Sequence, residues 1–313
     1  MTYRSLFLFP LAAAASLVLL LVVSSQPLHA QAPCELDPRA CPTRMDAESA
    51  RGMGAGLGLR ATAVSTSALA YNPAGLAGAP LYHVAGNVDY IGGDKTVALG
   101  GAVVDSATSP VAAGLSLRGF LSGSHGGYDG IDGRLAFAFP FSDVISIGLT
   151  GRYVNIGTEL LNDAGTYSDK KVVEGFSLDS SVQIHAGDMF HISVGAYNFV
   201  DQDSPLMPVM AGISAALMAT ENLAFGIDSL MDFTSFGSPK PTLGGAVEFL
   251  AGQAFPLRAG YTYDNGRHLH QVSAGVGYTD AIVGLDLSLR QDVAGGVPPK
   301  DTRIMGAMRF YIN

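Results

Sequence analysis

The sequence has no tryptophan, only two cysteines and little charge. Charged residues make up 14% of the 313 residues, and the formal net charge is −9. An acidic chain with few cations lacks the basic surface that nucleic acid requires, which excludes nucleic acid as a partner. Beyond residue 30 the chain also lacks a run of about 18 consecutive apolar residues, so no spanning helix is predicted there. Helical periodicity is nearly absent after residue 80, which argues against a soluble α/β enzyme.

What the sequence does contain is a repeated alternation of apolar and polar residues. In the stretches 176–185 and 282–290, nearly every second residue is apolar and those between are polar or small. Because side chains alternate between the two faces of a strand, each stretch has one apolar and one polar face. Segments of about ten residues with this pattern are typical of a transmembrane antiparallel β-barrel, whose apolar face meets lipid. We therefore predict an all-β fold, with the barrel over residues 81–313.

Residues 1–30 predict export. Arg4 is followed by a charge-free apolar run over residues 5–23, and then by small and polar residues that end at Ala30. This arrangement is typical of a secretory signal peptide, with cleavage predicted after Ala30, and an uncleaved anchor is the alternative. An exported barrel without spanning helices predicts the outer membrane of a Gram-negative cell, surrounded by outer-membrane lipid.

Fourteen candidate strands can be counted from residue 81 onward, and counts of twelve or sixteen are the alternatives. The strands begin near Leu81, Thr96, Val111, Ile131, Val144, Gly175, Met189, Leu206, Asn222, Pro241, Ala254, Leu269, Ala281 and Asp301. With both chain ends in the periplasm, the even-numbered connections are short periplasmic turns. The odd-numbered connections then face the outside and are longer, the longest being predicted over residues 158–174.

Cys34 and Cys41 follow the predicted cleavage site. In an oxidising compartment, two cysteines this close in sequence favour a small disulfide loop. A metal site is the weaker alternative, because no histidine or further cysteine lies nearby to complete it. A lipid anchor on Cys34 is weaker still, since Pro33 stands where a small residue is required. No metal and no cofactor are predicted for the chain.

Residues 31–80 do not alternate and are rich in glycine and alanine. The segment closes with the motif Tyr71, Asn72, Pro73, Ala74, Gly75 and Leu76. We predict two short helical pieces, one capped by Ser65 or Thr66. The other has Asn72 as its N-cap and Pro73 at the first helical position. Small residues allow such a segment to pack tightly inside a barrel lumen.

This motif resembles the end of the N-terminal hatch in the FadL-type superfamily of outer-membrane transporters. There, a small-residue segment that closes with Tyr/Phe-Asn-Pro-Ala-Gly-Leu precedes a barrel of fourteen strands. The same motif occurs in the related PorV-type barrels, which serve a protein secretion system. The resemblance implies a hatch over residues 31–80 and transport of hydrophobic molecules, either by small movements of the hatch or through a gap in the wall.

Charged residues on the inward-facing positions of the predicted strands form the candidate site. They are Arg118, Arg134, Arg152, Asp179, Asp228, Glu248, Arg258, Asp286 and Arg290, with Asp89 and Arg309 at inward positions as well. One interpretation is a neutralising network that anchors the hatch. The other is a binding site in which an arginine fork holds the carboxylate of a ligand.

Nothing in the sequence predicts an enzyme. His191 and Ser193 share a strand face, but the orienting acid that Ser–His catalysis requires cannot be placed from the sequence. His268 lies two residues from His270, and this pair lacks a third ligand for a zinc-type site. Two functional hypotheses follow. One is a transporter for small hydrophobic, fatty-acid-like molecules. The other is a non-transporting barrel in an envelope complex for secretion, adhesion or motility, with envelope proteins as its partners.

Overall fold

The computed structural model describes residues 34, 41, 49–93, 95–123, 125–161, 167–296 and 300–312. They form one closed antiparallel barrel, in which each strand pairs with its neighbours in sequence and β1 pairs with β14. Closure leaves no unpaired strand edge, as a barrel in lipid requires. The predicted all-β barrel and its count of fourteen strands are confirmed. The predicted signal peptide lies outside the described residues.

The strands are β1 Tyr82–Ile91, β2 Thr96–Asp105, β3 Ala112–Ser122, β4 Tyr128–Pro140, β5 Ile145–Leu161, β6 Tyr167–Ala186, β7 Phe190–Tyr197, β8 Met210–Thr220, β9 Leu223–Asp232, β10 Lys240–Ala251, β11 Phe255–Asp264, β12 Leu269–Thr279, β13 Val283–Ala294 and β14 Thr302–Tyr311. Side chains alternate in exposure along them. On β13, for example, Leu285 and Leu287 are exposed while Asp286 and Ser288 are buried. The apolar face therefore points outward and the polar face points into the lumen.

Two predicted boundaries are wrong. The sixth strand begins at Tyr167 rather than Gly175, because β5 and β6 stay paired over most of the predicted loop 158–174. Lys170 and Lys171 in this extension are exposed, and a strand that meets water on both faces lacks the alternation used to find it. The eighth strand begins at Met210 rather than Leu206, whose apolar side chain belongs to a buried connection.

Residues 49–78, which we call the lumen segment, pack against the inside of the wall. They form the short helices α1 Ala50–Gly54, η1 Arg60–Thr62, α2 Ser65–Tyr71 and η2 Pro73–Gly78. Helix α1 contacts β11–β14, η1 contacts β7–β9, α2 contacts β2–β4, and η2 contacts β3–β6. The lumen segment therefore touches nearly the whole circumference. Among the described residues, no helix has the length and apolar character needed to cross a membrane.

Candidate functional site

The predicted hatch motif, residues 71–76, is buried along its whole length. Asn72 takes the N-cap position of η2 and Pro73 opens that helix, but the Asn72 side chain makes no capping hydrogen bond. Its Nδ2 donates instead to the carbonyl oxygen of Arg60 at 3.0 Å and to Gln183 Oε1 on β6 at 2.5 Å. The predicted N-cap position of Asn72 and the place of Pro73 are confirmed, whereas the capping hydrogen bond is absent and the Asn72 side chain ties the lumen segment to the wall.

Helix α2 also lacks its predicted cap. Neither Ser65 nor Thr66 caps it, and Ser65 is its first residue, with φ +62°. The Ser65 Oγ lies 2.8 Å from Nε2 of His83, which points inward from β1. A hydroxyl that is hydrogen bonded to the wall is not available to the helix end, and this competing partner was not evident from the local sequence.

The rest of the motif is fitted closely to its surroundings. The Ala74 amide donates to Ser181 Oγ, and Ser146 Oγ donates to the Ala74 carbonyl oxygen, both at 2.9 Å. A Cβ at Gly75 would lie 1.9 Å from the carbonyl oxygen of Ala63. Only glycine fits at this position, because the backbone of the lumen segment approaches itself too closely for a side chain.

One ion-pair cluster joins α1 to four strands. Arg51 donates to the two carboxylate oxygens of Glu248 at 3.0 and 2.8 Å. Arg258 donates to Glu248 and to Asp286, both at 2.5 Å. Arg309 donates to the other oxygen of Asp286, also at 2.5 Å. A two-point arginine–carboxylate contact fixes orientation as well as distance, so this cluster holds α1 in one position.

A second ion pair anchors η1. Arg60 Nε donates to Asp228 Oδ2 at 2.8 Å, and both side chains are buried. The same guanidinium donates to the Tyr71 carbonyl oxygen at 3.2 Å and lies 4.8 Å from the ring centre of Tyr197. Burial alone would lower the pKa of Arg60, but Asp228 outweighs it and the pKa is raised. Arg60 therefore stays charged.

Two more clusters lie in the wall, each with one carboxylate between two arginines. They are Asp89 with Arg118 and Arg303, and Asp132 with Arg134 and Arg152. Arg134 also donates to the Ala70 carbonyl oxygen of the lumen segment at 2.5 Å. Of the remaining candidates, Asp179 accepts from the Asn198 amide at 2.6 Å, and Arg290 is buried opposite Arg303. These contacts favour the anchoring interpretation, because the arginines point at protein carboxylates.

A small cavity and a large groove lie on opposite faces of the same part of the wall. The inner cavity, of about 50 Å³, lies between the lumen segment and β1–β3, β13 and β14. The outer groove, of about 790 Å³, is open to the lipid side and lined by apolar side chains of Val88, Leu99, Leu285, Leu287 and Met308. Both share the lining residues Gly86, Asn87, Asp286 and Ala307.

The wall between cavity and groove is rich in small residues, namely Gly86, Gly101, Gly306 and Ala307, and we call this region, which also contains Asn87 and Asp286, the thin wall. Gly86 on β1 pairs with Gly101 on β2, and Asn87 pairs with Ala307 on β14. A Cβ added at Gly306 would meet no atom within 4 Å. Backbone hydrogen bonds close the wall here, but few side chains cover it on either face.

At the end formed by the odd-numbered connections, which we call the mouth, the chain before α1 meets the wall. Cys34 and Cys41 form a disulfide bond. The Cys34 amide donates to the Ser235 carbonyl oxygen at 3.0 Å, and Arg267 Nε donates to that of Cys41 at 3.3 Å. Phe236 packs on the disulfide. These contacts hold the disulfide between the β9–β10 and β11–β12 connections.

The connection between β7 and β8 also enters the mouth. Its Leu206 and Met207 are buried against inward-facing Phe120, Tyr128 and Ile156. These apolar side chains fill part of the mouth. Leu206 contributes to this buried cluster. Its apolar side chain resembles the start of a strand in the sequence, which explains the wrong prediction.

The histidine pairs noted in the sequence are not arranged for nucleophilic chemistry. His191 lies against His185 rather than Ser193, and Ser193 Oγ is buried without a hydrogen-bond partner among the described residues. His270 Nδ1 lies 2.5 Å from the Tyr261 hydroxyl. Within the described part of the chain, no three or more His, Cys, Asp or Glu side chains are grouped to hold a metal.

No family model matches the sequence, and no curated protein matches it. Solved structures match by fold. The toluene transporter TbuX of Ralstonia pickettii has a TM-score of 0.61 at 11% identity, covering 84% of this chain and 97% of that chain. The toluene transporter TodX of Pseudomonas putida also gives 0.61 at 11% identity, with coverages of 87% and 99%. A FadL homologue from Pseudomonas aeruginosa gives 0.60 at 13% identity, with coverages of 84% and 98%.

At these identities the likeness shows the fold alone. The resemblance to FadL-type barrels, suggested by the motif at residues 71–76, is confirmed at the level of the fourteen-stranded barrel. The shared fold does not show which molecules, if any, this chain transports.

Proposed function

We propose that this chain lies in the outer membrane and transports small hydrophobic, fatty-acid-like molecules, which cross between lumen and lipid at the thin wall. The proposal depends on one observation, the inner cavity and the outer groove on opposite faces of the thin wall. Toluene transporters and a FadL homologue share the fold, which is consistent with this use of it.

The direction of transfer follows from the chemistry of the two faces. The inner cavity has polar groups such as Arg118 and Arg309 in its lining, whereas the outer groove is lined mainly by apolar side chains. Moving apolar surface out of polar surroundings gains roughly 25 cal/mol per Å². A hydrophobic molecule that reaches the inner cavity is therefore more stable in the outer groove, and from there it enters the lipid.

The inner cavity has to enlarge before it can hold such a molecule, because about 50 Å³ accommodates only a few water molecules. Enlargement requires a shift of α1 or α2, which form one side of the cavity. The sequence predicts a hatch over residues 31–80. On this basis we propose that the described lumen segment acts as the hatch. The apolar side chains at the mouth are buried against one another, so a hydrophobic molecule from outside can contact them only once this cluster opens.

A non-transporting docking barrel is the second candidate, and the small inner cavity favours it. In this alternative the ion pairs of Arg51 and Arg60 hold the lumen segment permanently, and the outer groove receives only lipid. In that case, filling the outer groove at the thin wall would not change the uptake of hydrophobic molecules.

The test is to fill the outer groove without disturbing the fold. Gly306→Leu places a side chain where a Cβ meets no atom, so we expect an assembled barrel with several-fold slower uptake of a radiolabelled fatty acid into cells. Gly245→Leu is the matched control, because Gly245 on β10 also faces outward into open space, away from the groove. Equal uptake by Gly306→Leu and Gly245→Leu would contradict the proposal and support the docking barrel.

A further inference from the structure

A pair of histidines lies at the end of the barrel opposite the mouth, beside the short turn 187–189. His185 on β6 and His191 on β7 are directly opposed across the two strands. Their Nδ1 atoms are 2.9 Å apart, and the rings meet edge to face with centres 4.8 Å apart. Both side chains are half-buried and face inward, so they line the opening of the lumen at this end.

We propose that His185 and His191 form a two-nitrogen site for a divalent transition-metal ion. Imidazole nitrogen is the commonest protein ligand for these ions. With metal–nitrogen bonds of roughly 2.05 Å, two nitrogens 2.9 Å apart subtend about 90° at the metal. That is the angle between neighbouring ligands in square-planar and octahedral sites, whereas a tetrahedral site needs nitrogens roughly 3.3 Å apart. The geometry suits Cu(II) and Ni(II), and the Irving–Williams order places Cu(II) first.

Metal binding requires an internal proton shift and a rotation of the rings away from their hydrogen-bonded orientation. In the metal-free pair, one Nδ1–H donates to the other Nδ1. When the ion binds, that proton moves to Nε2 of the same ring, so both imidazoles stay neutral and both Nδ1 lone pairs face the metal.

The remaining coordination positions are open to water. Asp188, in the turn that connects the two strands, is exposed to solvent. No described group of three or more ligating side chains exists, so the site has two protein nitrogens and exchangeable positions. Helix η2 ends nearby, since a Cβ at Gly78 would lie 3.9 Å from Cε1 of His185. A bound ion therefore clamps β6 to β7 at the base of the lumen segment.

The test uses the purified full chain in detergent, without a histidine tag, and Cu(II) as the probe. We expect one Cu(II) per chain by calorimetry and an electron paramagnetic resonance spectrum with coupling to two imidazole nitrogens. His185→Ala and His191→Ala should each weaken binding at least tenfold. His268→Ala is the matched control, because His268 belongs to the other closely spaced histidine pair, and binding by this variant should be unchanged.

Two outcomes would overturn the proposal. One is Cu(II) binding that survives in both the His185 and His191 variants, and the other is a wild-type spectrum without two coupled imidazoles. If a variant does not show the heat-modifiable gel migration of a folded barrel, the wild-type spectrum decides alone. Transport plays no part in this readout, so the result is independent of the proposed function.

Discussion

The ion pair between Arg60 and Asp228 offers the sharpest test of how the lumen segment is held. Arg60→Ala leaves the Asp228 carboxylate buried without its guanidinium. Breaking one side of a buried ion pair typically costs about 3–5 kcal/mol, and Arg60 also loses its contact with the Tyr71 carbonyl oxygen. The barrel strands keep their own backbone hydrogen bonds. The lost free energy therefore weakens the attachment of the lumen segment to the wall.

The assay is ion conductance in planar bilayers, combined with thermal unfolding of the same preparation. We expect Arg60→Ala to raise the leak clearly above that of the wild-type chain while the barrel still assembles. The double variant Arg60→Ala/Asp228→Ala should leak less than the single variant, because the unpaired buried charge is gone. Lys171→Ala is the control, since its ion pair with Glu174 is exposed and such pairs are worth about 0–1 kcal/mol.

The result that would refute this reasoning is additivity. If Arg60→Ala and Asp228→Ala act independently, with the double variant as damaging as the two combined, the pair does not hold the lumen segment. A leak in Lys171→Ala equal to that in Arg60→Ala would also refute it, because general damage to the barrel would then be the cause.

Two further predictions concern the wall and its orientation. Leu287 is 55% exposed on the lipid face, so Leu287→Arg should lower the free energy of unfolding by about 2–4 kcal/mol in urea titrations in lipid vesicles. An equally stable Leu287→Arg barrel would contradict the assignment of faces. An epitope inserted after Ser238, in an odd-numbered connection, should be labelled on intact cells, whereas one after Gly187 should need permeabilisation. Labelling of the Gly187 insertion on intact cells would reverse the topology.

Most of the barrel was predictable because lipid on one face and a polar lumen on the other impose strict alternation. Twelve of the strand starts fall within about three residues of their predicted positions. The extension of β5 and β6 was missed because Lys170 and Lys171 meet water instead of lipid. The eighth strand was predicted to begin too early, at Leu206, because a buried connection can be as apolar as a strand.

The candidate site was predictable only in part. The alternation of side chains along the strands identified most of the charged residues that point into the lumen. Applied to every strand, this alternation also identifies Asp132 and Arg303. It could not find Arg51 and Arg60, because the lumen segment has no strand alternation from which to read a direction. The side chain of Asn72 was misassigned for a related reason, since Gln183, more than a hundred residues away, takes its hydrogen bond.

The position of the disulfide has a consequence for how the protein folds. Cys34 and Cys41 are held at the mouth, whereas β1 begins at Tyr82 at the opposite end, so the described lumen segment lies inside the strands that follow it in sequence. Pairing of β1 with β14 joins residues as far apart as Asn87 and Ala307, and contacts so distant in sequence form slowly. This slowly formed seam between β1 and β14 runs through the thin wall. The fourteen strands must wrap around a segment that precedes them, and closure at β1 and β14 encloses it.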